Sequence, residues 1–500
     1  MDRSQDESVG DCVQLARSGE DTPELTPLVS DLDGTLFATD SLFEGVMSLI
    51  RRSPWSILWL AIWFIRGGKA GLKFQVASRV RLLPESLPYR TEVVEYLRTE
   101  RAAGRKIVLA TAADQTIAYD VAAHLGCFDE ILSSTQFINL KGARKRDELV
   151  ERFGLRGFDY IGDSKADAPV WAACRIAHVA GLMTRVPRAV LAAGAQQGRV
   201  FAGRRPGIRT YLRTMRVYQW VKNLLVVVPS LLNHHIDLQI LQSLALAFAS
   251  FSLVASGTYI ANDLFDLEAD RRHPRKCRRP LASGELSIFK GVCLAFALTI
   301  GGLLLGALGG PKLVACLIVY LGLTTLYSSF VKGKPILDVV VLAMLYTLRV
   351  YTGGLVSDVY ISPWLFQFSI FFFLSMAFVK RYSELRRLRY QRKREAPNRG
   401  YSLSDLSIIS QAGVGSGLLA GLLLALYLNG REIERLYPRP EMLWGICPLF
   451  LYWMIRVWLI AHRGNMNEDP ILYAFHDRVS YIVGLLIVAA AAAGLTPNAG

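Results

Sequence analysis

The sequence predicts two parts of different fold class, a doubly wound parallel α/β domain followed by an all-α membrane domain. Up to about residue 205, short apolar runs alternate with stretches of helical character, and charged residues are mixed among them. From Val217 onward, apolar runs of roughly 17–23 residues recur, which is the length that crosses a bilayer. This change in composition is the main evidence for a two-part chain.

The net charge of +15 fits a membrane protein better than a nucleic-acid-binding protein. The cations cluster in the connections between apolar runs, as the positive-inside rule expects, so no nucleic-acid partner is predicted. Cationic loops also attract lipid head groups and phosphates. The seven cysteines form no CxxC pair and are interpreted as reduced thiols. Residues 1–26 are polar and acidic, which predicts a disordered tail without a signal peptide and a cytoplasmic N-terminus.

Three predicted strands in the first part end in polar side chains. They are "LVSDLDGTL" (28–36), "KIVLATAAD" (106–114) and "FDYIGDSKAD" (158–167). In a parallel sheet with helical crossovers, ligands bind at the carboxyl ends of the strands. The residues expected to meet there are Asp31, Asp33, Thr111, Asp163 and Asp167.

These residue types suit phosphoryl transfer through an aspartyl-phosphate. Asp31 is the expected nucleophile and Asp33 the general acid/base. Mg²⁺ would be held by Asp31 and Asp163, with Asp33 and Asp167 beside them. Thr111 would hydrogen-bond a phosphate oxygen. Lys145 or Lys141 would screen the negative cluster, and the sequence does not choose between these two lysines.

The order DLDGT, Thr-ending strand, Lys and GDSxxD resembles the haloacid dehalogenase (HAD) superfamily of phosphatases over residues 27–195. An inactive relic of such an enzyme is the alternative. The resemblance implies a cap insert at about 43–90, which holds Trp55, Trp59 and Trp63 on one helical face. Either this stripe lets the cap rest on the membrane, or it packs on the domain core; the sequence leaves both open.

Nine membrane spans are predicted in residues 217–500, after a basic connector at 196–216. They lie near 217–232, 241–263, 288–308, 312–330, 335–356, 362–380, 409–428, 442–461 and 477–494. Most connecting cations lie on one side, including those of 264–287 and 380–399, and this side is expected to be cytoplasmic. The chain is therefore predicted to be a multi-pass protein of the cell (inner) membrane, with its phosphatase-like domain cytoplasmic and its C-terminus opposite.

A charged stretch at the end of the second span is the main motif of the membrane part. Asn262, Asp266 and Asp270 recur every four residues, and Asp263 lies beside them, so a helix would carry them on one acidic face. Clustered carboxylates near hydrocarbon need a partner, and Mg²⁺ with substrate phosphates is the fitting one. The following "RRHPRKCRRP" supplies cations for the same phosphates. An ordinary solvated loop, the alternative, would show no periodicity.

This motif resembles the UbiA superfamily of intramembrane transferases over residues 207–500, whose members bind a Mg²⁺-diphosphate. The sequence departs from many prenyl-diphosphate enzymes, because Asp338 is followed four residues later by Leu342 and not by a second Asp. Segments such as "QWVKNLLVVVPSLL", "ADRRHPRKCRRPLASG" and "FVKRYSEL" are similar to decaprenyl-phosphate phosphoribosyltransferases. That family transfers 5-phosphoribose from phosphoribosyl diphosphate to a polyprenyl phosphate.

The resemblance implies roles for individual residues. Asp263, Asp266 and Asp270, with Asn262, would bind Mg²⁺ and diphosphate. Contacts to phosphates would come from Lys276, Arg279 and Lys332. Tyr327 and Asp338 would line the cavity, and Lys380, Arg381 and Glu384 would hold the ribose 5-phosphate or the lipid phosphate. Lys222 is expected to be functional because it interrupts an apolar run.

The sequence as a whole predicts a bifunctional Mg²⁺-dependent membrane enzyme of polyprenyl-phosphate metabolism, of the kind used in cell wall biosynthesis. Phosphoribosyl transfer would be followed by dephosphorylation of the lipid product in the HAD-like domain. One alternative is a prenyltransferase with an aromatic or lipid acceptor and an unrelated phosphatase. Another is a lipid carrier or scaffold without turnover. A homo-oligomer is compatible with the sequence.

Overall fold

The chain divides into two compact units, Met1–Arg205 and Pro206–Gly500. The computed structural model describes residues 25–135, 138–234, 237–390, 400–466 and 469–496, except the side chains of residues 69, 70 and 432. Almost all of the tail predicted to be disordered, and the last nine residues of the basic segment 380–399, lie outside the described residues.

The first unit is built on a six-stranded parallel sheet with strand order β3-β2-β1-β4-β5-β6. The strands are β1 Leu28–Ser30, β2 Ile107–Asp114, β3 Glu130–Ser134, β4 Asp159–Gly162, β5 Ile176–Gly181 and β6 Gln196–Ala202. The helices are α1 Ser41–Arg52, α2 Ser56–Ala77, α3 Thr91–Ala102, α4 Gln115–Leu125, α5 Ala143–Phe153, α6 Ala168–Ala173 and α7 Arg188–Ala192. The predicted doubly wound α/β class is confirmed.

Both faces of this sheet are covered, which explains why its inner strands read as continuous apolar runs. Successive side chains of a strand point to opposite faces. Leu28 and Ile107 accordingly belong to one hydrophobic core, and Val29 and Val108 to another. Strand β6, by contrast, falls in the segment that the sequence assigns to the connector. It is an edge strand in which five of seven residues are exposed, so it does not need the continuous apolar run of a strand that is buried on both faces.

Helices α1 and α2 follow β1 and form a small cap with a core of its own. This core consists of Leu42 and Leu49 from α1 and Val76 and Val80 from the end of α2 and beyond. The backbone of α2 is non-helical at Gly68, where φ is 58°. The break divides α2 into an N-terminal half that is mostly exposed and a C-terminal half that packs against the unit.

The regular elements of the second unit, as far as its residues are described, are all helical. Its helices are α8 Ile208–Met215, α9 Val228–Leu232, α10 Leu238–Phe265, α11 Leu267–Arg272, α12 Ile288–Leu308, α13 Pro311–Leu326, α14 Leu337–Val356, α15 Pro363–Tyr390, α16 Leu406–Leu428, α17 Arg431–Leu436, α18 Ile446–Arg463, α19 Pro470–Ala474 and α20 Arg478–Gly494. A 3₁₀ segment, Val217–Val227, precedes α9, and a π-helical turn, Tyr327–Val331, follows α13.

Within the described residues, seven helices are long and apolar enough to cross a membrane. The other two predicted spans, the first and the ninth, correspond to the shorter apolar segments Val217–Leu232 and Arg478–Gly494. The first is mostly 3₁₀ helix, which rises about 2.0 Å per residue, so it extends for roughly 30 Å despite its few residues. The ninth, a 17-residue α-helix, extends for about 26 Å.

Small residues allow the membrane helices to approach closely. Gly413, Gly417 and Gly421 repeat every four residues along α16. A Cβ at Gly417 would lie 2.8 Å from Met454 Cγ of α18 and 3.1 Å from Ser375 Oγ of α15. This repeat is the small-residue pattern that packs helices in lipid, where no hydrophobic effect drives helices together.

Candidate active sites

The strand register of the first unit brings the predicted motifs to one edge of the sheet. β1 pairs with both β2 and β4, and Ser30 lies opposite Leu109 on one side and Ile161 on the other. The residues after these positions therefore emerge at the same carboxyl edge. Asp31 and Thr111 are buried there, and Thr111 Oγ1 accepts a hydrogen bond from Ala113 N at 3.0 Å.

Three carboxylates form a compact group at this edge. The nearest oxygens of Asp31, Asp163 and Asp167 lie within 4.8 Å of one another. Lys145 Nζ lies 2.9 Å from Asp31 Oδ1 and 4.0 Å from Asp167 Oδ1, whereas Lys141 is exposed. Hard oxygen donors at this spacing fit a divalent cation such as Mg²⁺, which takes a few carboxylates together with substrate phosphates.

Asp167 is the best-anchored member of the group. Its Oδ1 accepts from the Tyr160 hydroxyl at 2.9 Å, and Lys145 Nζ donates to that hydroxyl oxygen at 3.0 Å. Its Oδ2 accepts from the backbone nitrogens of Asp163 and Ser164 at 3.2 and 3.1 Å. These bonds fix the turn after β4 and hold the carboxylate toward Asp31.

Asp33 stands apart from this group of three carboxylates. Its carboxylate accepts from Ser41 N at 2.8 Å and from Ser41 Oγ at 3.0 Å, at the start of α1. Burial, and secondarily Asp40, raises its pKa to about 7, against the opposing effect of Lys73. A carboxyl group with a pKa near neutrality can both give and take a proton, which suits a general acid/base better than a metal ligand.

The crowding of carboxylates is visible in their pKa values. Burial, followed by the charges of Asp167 and Asp31, raises the pKa of Asp163 to about 8. The pKa of Asp31 is also raised, by burial, although Lys145 opposes the rise. A divalent cation would remove this repulsion by favouring the ionised forms.

Two cationic side chains at this site lie outside the sequence motifs and were not predicted as site residues. Lys73, on the second half of α2, donates to Ala112 O at 3.0 Å and lies near Asp33. Arg90 donates from Nε to Gly34 O at 3.1 Å, and its charge acts on Asp163. Isolated cations in a cap helix and a loop give no local signal of function.

The second unit contains a cavity of about 790 Å³ with a strongly charged wall. Among the residues that the structure describes, seven cationic side chains line it, against three acidic ones: Arg216, Lys222, Lys276, Arg279, Lys332, Arg349 and Lys380, with Asp263, Asp266 and Asp469. Tyr327 and Asn262 also line it, as does Leu342, the residue that replaces a second Asp in the sequence pattern. Excess positive charge in a partly enclosed space favours anionic ligands such as phosphates.

The acidic motif enters this cavity at the end of α10. The helix ends at Phe265, and Asp266 lies in the break before α11. Asp263 pairs with Arg216 and, at 2.9 Å, with Arg279 Nη1, while Asp266 pairs with Lys332. Asn262 Oδ1 accepts from Ser328 Oγ at 2.7 Å.

Carboxylate and amide oxygens are the kind of ligand that Mg²⁺ prefers. Among the described residues, however, these side chains do not form a compact group of three carboxylates like the one in the first unit. Each carboxylate is already paired with a cation of the chain. A Mg²⁺-diphosphate carries charges of both signs. Its Mg²⁺ can bind the carboxylate of such a pair, and its diphosphate oxygens can bind the cationic side chain.

Four residues expected at the substrate are not among the described residues that line the cavity. Asp270 is 2% exposed and accepts from Arg279 Nη1 at 2.5 Å. Asp338 is fully buried and accepts from Arg381 Nε at 2.5 Å and from the Tyr401 hydroxyl at 2.6 Å. The remaining pair is Arg381 and Glu384, 2.6 Å apart.

For these four residues direct substrate contact stays a prediction. Arg381 also donates to the Tyr327 hydroxyl at 2.9 Å, so its network positions a tyrosine that does line the cavity. Asp270, Asp338 and Arg381 are buried, and a buried charge needs a partner, which the ion pairs above supply.

A second charged cluster in the cavity wall is centred on Asp469, a residue that was not predicted from the sequence. Lys222 Nζ lies 2.8 Å and Lys380 Nζ 3.3 Å from Asp469 Oδ2. The Tyr346 hydroxyl donates to the same oxygen at 3.4 Å. Asp469 lies far along the chain from Lys222 and in no motif, so only the folded structure brings the two together.

Arg216 and Arg349 are further cavity residues without a motif. Arg349 is buried, donates from Nε to Asn223 Oδ1 at 2.8 Å, and stacks over the Tyr320 ring at 4.8 Å. A buried Arg in an apolar span is the signal that could have identified it, since such charges mark functional sites in membranes.

The folds and sites together define an integral membrane protein with a helical transferase unit and an α/β hydrolase-like unit. Residues 28–171 match the haloacid dehalogenase-like hydrolase family, and residues 225–479 match the UbiA prenyltransferase family. The chain belongs to the UbiA prenyltransferase family and carries a HAD-like domain at its N-terminal side.

Relatives resemble either the whole chain or part of it. An uncharacterised protein of Sinorhizobium fredii, y4nM, is 36% identical over 468 residues, which is 93% of this chain and 90% of that protein. The decaprenyl-phosphate phosphoribosyltransferase of Mycobacterium tuberculosis is 32% identical over 179 residues, or 35% of this chain and 59% of that enzyme. A solved UbiA homolog from Archaeoglobus fulgidus, bound to GPP and Mg²⁺, has 19% identity and a TM-score of 0.44, covering 57% of this chain and 99% of that one.

Proposed function

We propose that the helical unit transfers 5-phosphoribose from phosphoribosyl diphosphate to a polyprenyl phosphate. The observation that carries this proposal is the presence of two cation–carboxylate clusters in the wall of one cavity. One is formed by Asp263 and Asp266 with their cations, the other by Lys222, Lys380 and Asp469. A donor with phosphate groups at C1 and C5, and an acceptor that is itself a phosphate, need more than one anion site.

Charge placement suggests how the reaction proceeds. Asp263, Asp266 and Asn262 would hold Mg²⁺, which neutralises the diphosphate and makes it a better leaving group. Arg216, Arg279 and Lys332 are close enough to those acids to receive the diphosphate oxygens. As the C1–O bond breaks, C1 gains oxocarbenium character, and a phosphate oxygen of the lipid forms the new bond. Positioning and electrostatic stabilisation account for the rate.

Partial similarity to decaprenyl-phosphate phosphoribosyltransferases supports the same donor. Transfer of a prenyl group from a prenyl diphosphate is the alternative. A prenyl diphosphate has phosphates at one end only and an apolar remainder. The two charged clusters therefore favour the phosphoribosyl donor.

The HAD-like unit, in this proposal, removes a phosphate from the phosphoribosyl lipid. Asp31 attacks the phosphorus, the P–O bond to the sugar breaks, and Asp33 protonates the leaving oxygen. Water then attacks the phosphorus of the aspartyl-phosphate, Asp33 accepts the proton of the water, and the P–O bond to Asp31 breaks, which releases inorganic phosphate and restores the carboxylate. Lys145 and Thr111 would hold the phosphate, and Asp163 and Asp167, beside Asp31, would hold Mg²⁺.

Diphosphate release is the direct test of the transferase proposal. The full chain in lipid nanodiscs is incubated with Mg²⁺, polyprenyl phosphate and either phosphoribosyl diphosphate or geranylgeranyl diphosphate. We expect release from the first donor and its loss, by several orders of magnitude, in Asp266→Asn. Asp358→Asn is the matched control, because Asp358 is exposed and pairs only with Lys312 among the described residues. Release from the prenyl donor alone would favour the alternative, and normal release by Asp266→Asn would refute the assigned site.

The proposal also includes an orientation, with the basic connections and the HAD-like unit in the cytoplasm. Cys277 lies in the basic connection after α11 and can report on it. A membrane-impermeant thiol reagent should label Cys277 in inverted vesicles and not in right-side-out vesicles, with Cys277→Ser as the control. The reverse pattern would contradict the orientation.

A further inference from the structure

The N-terminal half of α2 exposes an unusual apolar surface. Its exposed large side chains, which we call the cap patch, are Trp55, Ile57, Leu58, Trp59, Phe64 and Ile65. Ile65 is 82% and Trp55 76% exposed. Six exposed large apolar side chains within eleven positions are many more than the scattered single ones that are normal on a surface, and such a concentration marks an interaction site.

This surface is the outer side of a helix that is otherwise packed. Ser56 is buried, and Leu60 and Trp63 pack against the cap core formed by α1 and the end of α2. The Arg79 guanidinium lies 4.4 Å from the centre of the Trp63 ring. One side of the helix therefore packs against the cap core. The cap patch lies on the other side, which this core does not need to cover. Of the three tryptophans in the stripe, Trp63 packs inward, and Trp55 and Trp59 point out.

The charges around the patch identify its partner. Residues 51–80 contain six Lys or Arg residues and no Asp or Glu. Arg51, Arg52 and Arg66 flank the patch and are exposed. Tryptophan and aliphatic side chains with a cationic rim are the composition of helices that lie in the head-group region of anionic membranes.

We infer that the first half of α2 docks the HAD-like unit on an anionic lipid surface. The unit belongs to an integral membrane chain, so a bilayer is always available to it. The kink at Gly68 separates the docking half from the packed half. Lys73 in the packed half reaches Ala112 O at the end of β2, beside Asp33. Docking would therefore orient the phosphatase site relative to the bilayer and favour phosphates carried by lipids.

Fluorescence quenching in full-length protein tests this inference. A fluorescent amino acid replaces Leu58 in one sample and Leu155, an equally exposed residue of the same unit outside the patch, in the other. The chain is reconstituted into vesicles of phosphatidylcholine and phosphatidylglycerol that contain a lipid with a nitroxide high on its acyl chain. We expect several-fold stronger quenching at position 58 than at 155. The difference should shrink in pure phosphatidylcholine and at high salt.

Other outcomes overturn the inference. Equal quenching at both positions would mean that the patch does not contact lipid. Protection of position 58 from both the lipid quencher and aqueous iodide would mean that protein covers it. As a second variant, Trp59→Glu with Ile65→Glu should abolish lipid quenching at position 58, and Leu155→Glu should leave it unchanged. None of these readouts depends on catalysis, so failure of the proposed phosphatase reaction would leave the test intact.

Discussion

Gly34 shows how tightly single residues are fitted at the phosphatase site. Its φ is +76°, a backbone conformation that favours glycine, and a Cβ there would overlap the carboxylate of Asp163. The glycine of the DLDGT motif is therefore needed for two reasons, the turn itself and the space for the carboxylate of Asp163.

Replacing Gly34 separates these two reasons. Gly34→Ala should abolish phosphate release, because the methyl group displaces Asp163. Gly126→Ala is the matched control: Gly126 also has a positive φ, +63°, but a Cβ there meets nothing within 4 Å. The control should lose about 1 kcal/mol of stability and keep its activity. Activity of Gly34→Ala at the control's level would contradict this account of the site.

A buried histidine makes the stability of the first unit depend on pH. His178 on β5 accepts a hydrogen bond from Arg199 N at 2.9 Å, and its Nε2 has no partner among the described residues. Burial lowers its pKa to about 4. Between pH 6.5 and 4 the unfolded chain therefore binds more protons at this residue than the folded one. The contribution of His178 to the free energy of unfolding therefore decreases as the pH is lowered from 6.5 to 4, by up to about 3 kcal/mol.

Calorimetry of wild type and His178→Gln across this pH range measures that contribution. The raised pKa values of Asp31 and Asp163 act in the opposite direction, so the test is the difference between the two proteins. The difference in the free energy of unfolding between wild type and His178→Gln should change by up to about 3 kcal/mol between pH 6.5 and 4. His124→Gln, which alters an exposed histidine, should follow the wild type. A pH-independent difference for His178→Gln would show that His178 is not buried in its neutral form.

At the scale of elements, close contact between membrane helices depends on the glycines of α16. Gly417→Ala should destabilise the helical unit by about 1–3 kcal/mol, because its Cβ would press on Met454 and Ser375. Gly415→Ala should be neutral or slightly stabilising, since a Cβ there meets nothing within 4 Å and Ala favours helix. Thermal unfolding in detergent compares the two. Equal melting temperatures would contradict the packing described.

Local sequence patterns predict many of the strands and helices. The remaining features depend on contacts between residues that are distant in the sequence. An apolar run ending in Asp31 or Asp163 is visible in a short window and predicts a sheet edge with carboxylates. Strand β6 has no such pattern, because an edge strand needs no continuous apolar run. Asp338 and Arg381 illustrate the other limit: a motif identified them, but their mutual pairing inside the bundle depends on how distant helices pack.

For the molecule as a whole, the sequence predicted two units because composition changes along the chain, and the family matches agree with both. The two units carry separate constellations, three carboxylates with Lys145 in one and a cation-rich cavity in the other. What the sequence could not show is the second cluster around Asp469. Its three members come from segments separated by most of the helical unit, and no periodicity connects them.

The central claim is that the two units act in sequence on one lipid. Mass spectrometry of the lipids formed from polyprenyl phosphate, phosphoribosyl diphosphate and Mg²⁺ tests it most directly, with wild type, Asp31→Asn and the exposed control Asp147→Asn. Wild type and Asp147→Asn should yield dephosphorylated ribosyl lipid. Asp31→Asn should accumulate the 5-phosphoribosyl lipid, because the nucleophile of the second step is gone. The same ratio of phosphorylated to dephosphorylated lipid in all three proteins would contradict the account.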